Sequence, residues 1–277
     1  MSARRAGRRA TALVYAVLGL FTAGSLFPLL WTAVAASQDN ARLAATPPPL
    51  AFGGRLPHNL GRAWSEAGLG RALLNTTLVA GTVALSTVLC CTLAGFAFAK
   101  LRFAGRRALL AVVIGTMMVP PQLAVVPLFM IVARLGWADR LPSVVLPSLV
   151  SAFGVFFMRQ YLVRALPTEL LEAARMDGAG SLRLVRHVVL PAARPAMAVL
   201  GMLSFVQSWN DFFWPVIALT QQNPTVQVAL TGLGRGYVPD QAVVMAGALL
   251  GTLPLLLAFA LLGRHITGGI MHGAVKG

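Results

Sequence analysis

Six long apolar runs dominate the sequence and limit most strongly the folds that are open to it. Each run reaches or exceeds the roughly 20 residues that an α-helix needs to cross the hydrocarbon core of a bilayer. Hydrophobic residues make up 57% of the chain and charged residues only 11%, and one soluble core does not hide so much apolar surface. We therefore predict an all-α integral membrane protein with six transmembrane helices. The runs are residues 11–36, 73–99, 109–133, 141–163, 196–219 and 242–263.

The 23 Lys and Arg residues are shared unevenly between the two sides of such a protein. Six helices put both termini on one side, and the termini together with residues 100–107 and 159–194 hold 16 of these residues. The opposite loops hold 7. Because basic loops stay in the cytoplasm, we expect a multi-pass protein of the bacterial cytoplasmic membrane with both termini in the cytoplasm. The net charge of +15 does not indicate a nucleic-acid partner, since the basic residues lie between apolar runs and not on one face.

The same pattern divides the chain into segments. A cleaved signal peptide is the alternative for the first run, because Ala33-Val34-Ala35 resembles a cleavage site, but the run is longer than the apolar region of most signal peptides. The predicted segments are a basic cytoplasmic N-terminus (1–10), a first transmembrane helix (11–36), an extracytoplasmic loop (37–72), a transmembrane core (73–263) containing a cytoplasmic loop (164–195), and a cytoplasmic C-terminus (264–277).

Residues 168–191 are the longest polar interruption in the second half of the chain, and we call them the EAA segment for the letters of residues 172–174. Thr168 is a plausible N-cap, Gly178 supplies a stop and Ser181 can cap a second short helix. The expected structure is a helix, a glycine turn and another helix. Two interpretations follow from composition: an amphipathic connector on lipid headgroups, or a docking element for a soluble partner.

The spacing within this segment matches a known pattern. Glu172-Ala173-Ala174 is followed by three residues, then Gly178, nine residues and Val188-x-Leu190-Pro191. This closely resembles the EAA loop of permease subunits of ABC importers, in the binding-protein-dependent transport system inner membrane component family, with Val188 where the family usually has isoleucine. Residues 156–161, 209–215 and 273–277 resemble its carbohydrate-uptake branch, the class of the smaller maltose permease subunit. The resemblance covers nearly the whole chain.

The resemblance implies that the first helix of the EAA segment is a coupling helix, which sits in a cleft of a separate ATPase. Small Ala173 and Ala174 would allow close approach, while Leu170, Leu171 and Met176 would add apolar contact. The implied coupling residues are Glu172, Ala173, Ala174, Asp177, Gly178, Leu190 and Pro191. The implied partners, besides membrane lipid, are a second homologous permease subunit, two cytoplasmic ABC ATPase subunits and an extracytoplasmic solute-binding protein. For the binding protein, the candidate contacts are loops 37–71 and 221–241.

Catalytic motifs are missing from the chain. Neither Lys100 nor Lys276 lies in a Walker A sequence, so we expect no cofactor here and expect ATP and Mg to bind to the partner ATPase. The four histidines have no metal-ligand spacing, and no nucleophile motif occurs. We predict neither a catalytic site nor a metal site, and a transporter subunit in place of an enzyme.

Polar residues within apolar runs are costly and are the candidates for a solute path. Asp211, beside Asn210, lies in the fifth run. It either faces the solute path or is a structural carboxylate at a helix end. Gln122 follows Pro120-Pro121, and these prolines interrupt helical hydrogen bonding. Gln122 therefore either faces a solute path or belongs to a proline kink whose free backbone groups bond to neighbouring helices.

Asn75 and Trp209 complete the set of path candidates. Asn75 opens the second run and serves equally well as a helix cap. Trp209, with Trp214, can stack on a sugar ring or pack at an interface.

The resulting hypothesis is a permease subunit that moves a sugar or sugar-like solute inward by alternating access, driven by the separate ATPase. A permease for glycerol phosphate or another polyol derivative is the alternative, because such importers use similar permeases. A secondary transporter is a further alternative, and it predicts uptake that does not need an ATPase.

Overall fold

The computed structural model describes residues 2–234 and 239–274, with side chains described for residues 11, 13–234 and 239–261. All regular elements in these residues are helices, as the apolar pattern predicts. The predicted cytoplasmic C-terminus extends into residues 275–277, which lie outside the described residues. The α-helices are α1 (Ser2–Ala36), α2 (Asn40–Leu43), α3 (Leu56–Glu66), α4 (Leu69–Lys100), α5 (Arg106–Thr116), α6 (Val125–Arg134), α7 (Pro142–Val145), α8 (Ala152–Ala165), α9 (Thr168–Met176), α10 (Ser181–Leu184), α11 (Leu190–Trp209), α12 (Phe213–Ala218), α13 (Val226–Leu233) and α14 (Gln241–Ala274).

Five helical segments are long and apolar enough to cross a membrane: Leu13–Ala36, Leu69–Lys100, Pro142–Ala165, Ser181–Trp209 and Gln241–Leu261. A sixth span forms only if Arg106–Thr116 and Pro121–Arg134, which are bent by 92° with respect to each other, act together. The bend lies at Pro120-Pro121, where the sequence predicts a break, and Pro121 begins a short 3-10 helix that ends at Ala124. The all-α membrane fold is therefore confirmed, with five candidate spans, or six if the bent pair counts as one.

The fifth apolar run differs from its prediction. Residues 196–219 do not form one helix, because α11 ends at Trp209 and the separate helix α12 begins at Phe213. At its other end the helical segment reaches back to Ser181. Two predicted caps are also wrong by one residue: Pro167 and Gly180 occupy the N-cap positions, and neither Thr168 nor Ser181 caps its helix.

The chain divides into two compact units. The first comprises Met1–Leu69 and Leu230–Leu253 and is held by hydrogen bonds between polar side chains and backbone. Buried Asn59 donates to the carbonyls of Ala36 and Gln38, both at 2.8 Å. Arg62 in α3 pairs with Glu66 and with Asp240, next to the start of α14, and both acids raise the pKa of its guanidinium.

The second unit, Gly70–Ala229 with Pro254–Gly277, contains the main core. Buried residues of α4, α8, the EAA segment and α11 pack together there, among them Cys91, Met158, Leu162, Leu184 and Leu200. Contact between α4 and α8 requires glycine: a Cβ on Gly95 would lie 2.7 Å from Cβ of Met158 and 2.8 Å from the backbone nitrogen of Arg159. Small residues are what allow membrane helices to approach this closely.

We expect Gly95→Ala to lower the melting temperature of the purified protein, since the added methyl group meets backbone that cannot move independently. Overpacking of this kind costs about 1–3 kcal/mol. Thermal unfolding in detergent measures the effect. Gly81→Ala is the matched control in the same helix, because a Cβ there has nothing within 4 Å. Equal melting temperatures for the two variants would show that the α4–α8 contact is not tight.

Candidate functional site

The EAA segment is anchored to the core by its apolar residues. Leu171 of α9 is 4% exposed, and Leu184 and Val189 are also buried. All three belong to the core cluster of the second unit, and Ala174 packs against that cluster from α9. Leu171 therefore binds to its own chain, which corrects the expectation that it supplies contact to a partner.

The turn between α9 and α10 depends on Gly178. Its φ is +76°, in the left-handed region, where a residue with a Cβ is destabilised by about 1 kcal/mol or more. The N–H of Gly178 donates to the carbonyl of Arg175 at 3.0 Å, and the N–H of Ala179 donates to the carbonyl of Ala174 at 3.0 Å. These two bonds form a Schellman motif, which satisfies the last carbonyls of the helix. The predicted glycine stop is confirmed.

The opposite face of the EAA segment carries exposed residues without partners in the chain. Glu172, Ala173 and Asp177 are exposed, and within the described residues neither acid forms an ion pair or a side-chain hydrogen bond. Two apolar side chains lie open as well: Met176 is 88% exposed and Leu182 is 82% exposed. The described chain thus leaves both acidic and apolar side chains of this segment uncovered.

Leu190 and Pro191 lie at the junction between the EAA segment and α11. Pro191 has no N–H, and its ring excludes the normal helical geometry one turn earlier. The helix widens there into a π-turn, Val185–Val189, and the N–H of Leu190 donates to the carbonyl of Val185, five residues back. The helical segment consequently continues from Ser181 to Trp209, a length of about 43 Å at 1.5 Å per residue.

A large cavity opens in the second unit at the far end of this helix. Its volume is about 1340 Å³, above the roughly 300–1,000 Å³ of most small-molecule pockets. Residues from α4, α6, α11, the segment 144–153 and the break after α11 line it, with Phe259 of α14. The path candidates Gln122, Asn210 and Asp211 are all among the lining residues. The structure therefore brings together three polar residues from two separate apolar runs.

Asp211 lies just beyond the end of α11, at the break before the next helix. Its carboxylate lies beside the N–H groups of Phe213 and Trp214 at the start of α12, donors that have no partner within their own helix. Asp211 thus lies near a helix end and also lines the cavity.

The amide side chains that line the cavity differ in whether they form hydrogen bonds within the protein. Asn210 donates to the carbonyl of Val206 at 2.9 Å. The side chains of Gln122 and Gln207 are exposed and form no hydrogen bond within the described residues. They are therefore the lining amides available to a solute.

Asn75 and Trp209 are not among the residues that line the cavity. Asn75 is buried and donates to the carbonyl of Pro224 at 3.0 Å. Trp209 is 2% exposed and packs against Phe205. Trp214 reaches the lining, but it is also buried and its indole N–H donates to the carbonyl of Ser143 at 2.9 Å. Asn75 lies inside α4, which begins at Leu69, so the expectation that it caps this helix is wrong. Packing and hydrogen bonds to the backbone account for these residues.

Three further lining residues, Ser204, Gln207 and Ser208, were not predicted although the sequence carries a signal for them. Ser204, Gln207, Ser208 and Asp211 are spaced i, i+3, i+4 and i+7, which places them on one face of a helix. All four line the cavity. The aromatic lining by Phe153, Phe212 and Phe259 had no comparable signal, because Phe is common throughout the apolar runs.

No group of three or more His, Cys, Asp or Glu side chains suited to a metal ion occurs in the described part of the chain. The two cysteines are free, with Cys90 exposed and Cys91 buried. Cys91 packs where α4 meets α8, and a Cβ on Gly154 would lie 2.8 Å from its sulfur.

Comparison with known proteins supports one family. Residues 91–270 match the family described as binding-protein-dependent transport system inner membrane component. The lactose transport system permease protein LacG of Rhizobium radiobacter is 30% identical over 263 residues, which cover 95% of this chain and 95% of LacG. The sn-glycerol-3-phosphate transport system permease protein UgpE of Rhizobium meliloti (strain 1021) is 30% identical over 259 residues, 89% of this chain and 91% of UgpE.

The same fold occurs in a solved structure. It is described as a bacterial ABC transporter involved in the import of the acidic polysaccharide alginate, and one of its chains matches with a TM-score of 0.77. The match covers 92% of this chain and 96% of that chain at 22% sequence identity.

Cysteine labelling of the purified subunit tests the two faces of the EAA segment. In a Cys90→Ser background we expect Met176→Cys to react with a maleimide roughly tenfold faster than Leu171→Cys, because the buried site reacts only after local opening. Leu182→Cys and Leu184→Cys form a second exposed and buried pair. Equal rates within both pairs would contradict the orientation of the segment.

Proposed function

This chain belongs to the family of binding-protein-dependent transport system inner membrane components, and we propose that it is the subunit through which a sugar or sugar-like solute crosses the cytoplasmic membrane in an ATP-driven importer. As a membrane component of a transport system it is not an enzyme. The observation that carries the proposal is the continuous helix Ser181–Trp209. It connects the EAA segment with the break at which Asn210 and Asp211 line the cavity.

The EAA segment docks onto a separate cytoplasmic ATPase in this proposal. Its exposed surface suits a protein partner: Met176 and Leu182 offer apolar contact, and Glu172 and Asp177 offer charges that fix register against basic residues. The connector alternative, in which the segment lies on lipid headgroups, fits these acids poorly, since the inner leaflet is itself negatively charged. Gly178, Leu190 and Pro191 act within the segment, as the turn and the junction that hold α9 on α11.

Movement of the ATPase reaches the cavity through α11. A helix transmits displacement along its axis because its hydrogen bonds run within the segment, and the packed core around Leu184 and Val189 makes the EAA segment move with it. The chain then breaks at Asn210–Phe212, so that motion of α11 changes the cavity wall at Asp211. This coupling is the mechanical step that alternating access requires.

The solute path runs through the cavity, with Gln122, Asn210 and Asp211 as the polar residues and the phenylalanines as stacking surfaces. Amides and a carboxylate bond to sugar hydroxyls, and aromatic rings pack against the apolar faces of sugars. The volume of about 1340 Å³ is enough for a solute larger than one ring. Asn75 and Trp209 are excluded from the proposed path, because both are committed to packing.

The complete transporter in this proposal contains a second homologous permease subunit, two ABC ATPase subunits that bind ATP and Mg, and an extracytoplasmic solute-binding protein, within membrane lipid. Both termini and the EAA segment face the cytoplasm, which the basic charge of that side supports. Loops 37–71 and 221–241 are the proposed contacts of the binding protein. No nucleic acid is involved.

The similarity to LacG favours a sugar, and the similarity to UgpE keeps a glycerol phosphate as the second candidate. Membership of the family favours an ATP-driven system over a secondary transporter.

Glu172→Ala and Gly178→Pro test the coupling role. We expect Glu172→Ala to weaken association with the ATPase roughly tenfold, through loss of a charge pair at a partly desolvated interface. Gly178→Pro prevents the left-handed turn and removes the N–H bonded to Arg175, so uptake and ATP hydrolysis by the complex should both fall. Uptake into proteoliposomes and ATPase activity measure these effects, with membrane abundance as a check on insertion.

Gly180→Ala is the control for the turn, because Gly180 has a φ of −67° and open space around its Cβ position. It should behave as the unmodified protein. Unchanged uptake and unchanged ATPase docking in both test variants, at normal abundance, would rule out the coupling role.

Gln122→Leu and Gln207→Leu test the path. Each replaces a free cavity amide by an apolar side chain of similar size, and we expect the apparent KM for uptake to rise about tenfold where a solute hydrogen bond is lost, a value that corresponds to about 1.4 kcal/mol. Gln160→Leu is the matched control, since Gln160 is exposed, does not line the cavity and lies outside the loops proposed to contact the binding protein. If all three variants transport equally well, the solute does not contact these amides.

A further inference from the structure

The cavity has an unusual balance of charge. Many of its lining residues are polar, but Asp211 is the one ionisable side chain among the described residues that line it. Lys, Arg and His are missing from that described lining, although the chain has 23 Lys and Arg residues in total. An ionised Asp211 would therefore have no lining cation to offset it.

The described chain provides no cation for this charge. The Asp211 carboxylate lies beside the backbone N–H groups of Phe213 and Trp214. Neither of the two ion pairs in the described residues, which Arg62 forms with Glu66 and Asp240, involves Asp211. The carboxylate therefore has no partner of opposite charge within the described residues.

A fixed charge acts strongly in such surroundings. The nearby walls are apolar, from Val83, Leu128, Leu203 and the phenylalanines, and charges interact over longer distances where the surrounding dielectric is low. Clefts lined by one sign of charge concentrate ions of the opposite sign and repel ions of the same sign. A solute that carries a phosphate or a carboxylate would therefore meet an unfavourable potential at Asp211.

We propose that Asp211 makes the cavity selective by charge, so that the permease admits neutral polyhydroxylated solutes and opposes anionic ones such as sugar phosphates and glycerol phosphates. This inference rests on the proposed function, in that the cavity is the solute path. It gives the permease a part in selection beyond that of a binding protein. It also favours a neutral sugar over the glycerol phosphate alternative.

The local potential can be measured without knowing the solute. The probes are two methanethiosulfonate reagents of similar size, one cationic and one anionic, which react with a cysteine placed in the cavity. The assembled transporter in lipid nanodiscs carries Cys90→Ser, which removes the exposed thiol, together with Gln122→Cys in the lining. The ratio of the cationic rate to the anionic rate reports the sign and size of the potential near the introduced thiol.

We expect the cationic reagent to react roughly tenfold faster than the anionic one at Gln122→Cys, after correction for their rates with a free thiol. Asp211→Asn should remove most of this preference, because the amide has nearly the same shape as the carboxylate but carries no charge. Asp211→Ser is a second neutral variant that retains an oxygen able to cap the helix. Melting temperatures near that of the parent protein confirm that both variants are folded.

Gln160→Cys is the control position, since Gln160 is exposed, is not part of the cavity lining and lies outside the loops proposed to contact the binding protein. Its rate ratio should not change with Asp211→Asn. An unchanged ratio at Gln122→Cys in both neutral variants, or an equal change at both positions, would overturn charge selection by Asp211. If the transporter took up no solute but the ratio of rates at Gln122→Cys still depended on Asp211, the proposed transport function would be wrong and charge selection would stand. The two can be separated because the reagents need neither solute nor ATP.

Discussion

Backbone hydrogen bonding inside a bilayer is the constraint on which this structure depends. With no water in the hydrocarbon region, an interrupted helix is tolerated only where the freed groups find partners in the protein or line a cavity. The interruptions at Pro120-Pro121 and Asn210–Phe212 both border the same cavity. At the second, the Asp211 carboxylate lies beside the first N–H groups of α12, and Asn210 donates to a carbonyl of α11. The polar side chains next to the freed backbone groups at this break thus also line the cavity.

The EAA segment and the cavity lie at opposite ends of one helix. The π-turn before Pro191 lets the second helix of the EAA segment continue into α11 without a loop, and burial of Leu171, Leu184 and Val189 fixes the segment to the same core. A flexible linker at this junction would absorb movement, whereas a continuous helix passes it on. In the proposed importer, the Leu-Pro pair of the motif therefore serves the connection, and Glu172, Asp177, Met176 and Leu182 serve the docking surface.

Glycine has two separate uses in the second unit. Gly178 is required by its backbone conformation, as its φ of +76° and open surroundings show. Gly95 and Gly154 are required by space, because a Cβ on either would overlap α8 or Cys91. Both uses support the same result: the glycine contacts hold α4 against α8, and the turn holds α9 where its apolar face meets that core.

The sequence by itself determined the helical membrane fold, the break at Pro120-Pro121, and the glycine turn between the two short helices of the EAA segment, because these follow from hydropathy, proline and glycine chemistry and local spacing. Tertiary structure alone decided which residues meet. It separated Asn75 and Trp209 from Gln122 and Asp211, turned Leu171 inward, ended α11 at Trp209 and joined Gln207 to the lining. Periodicity says which residues share a face of one helix, but which face meets a cavity depends on how distant helices pack, and that contact is not encoded in local spacing.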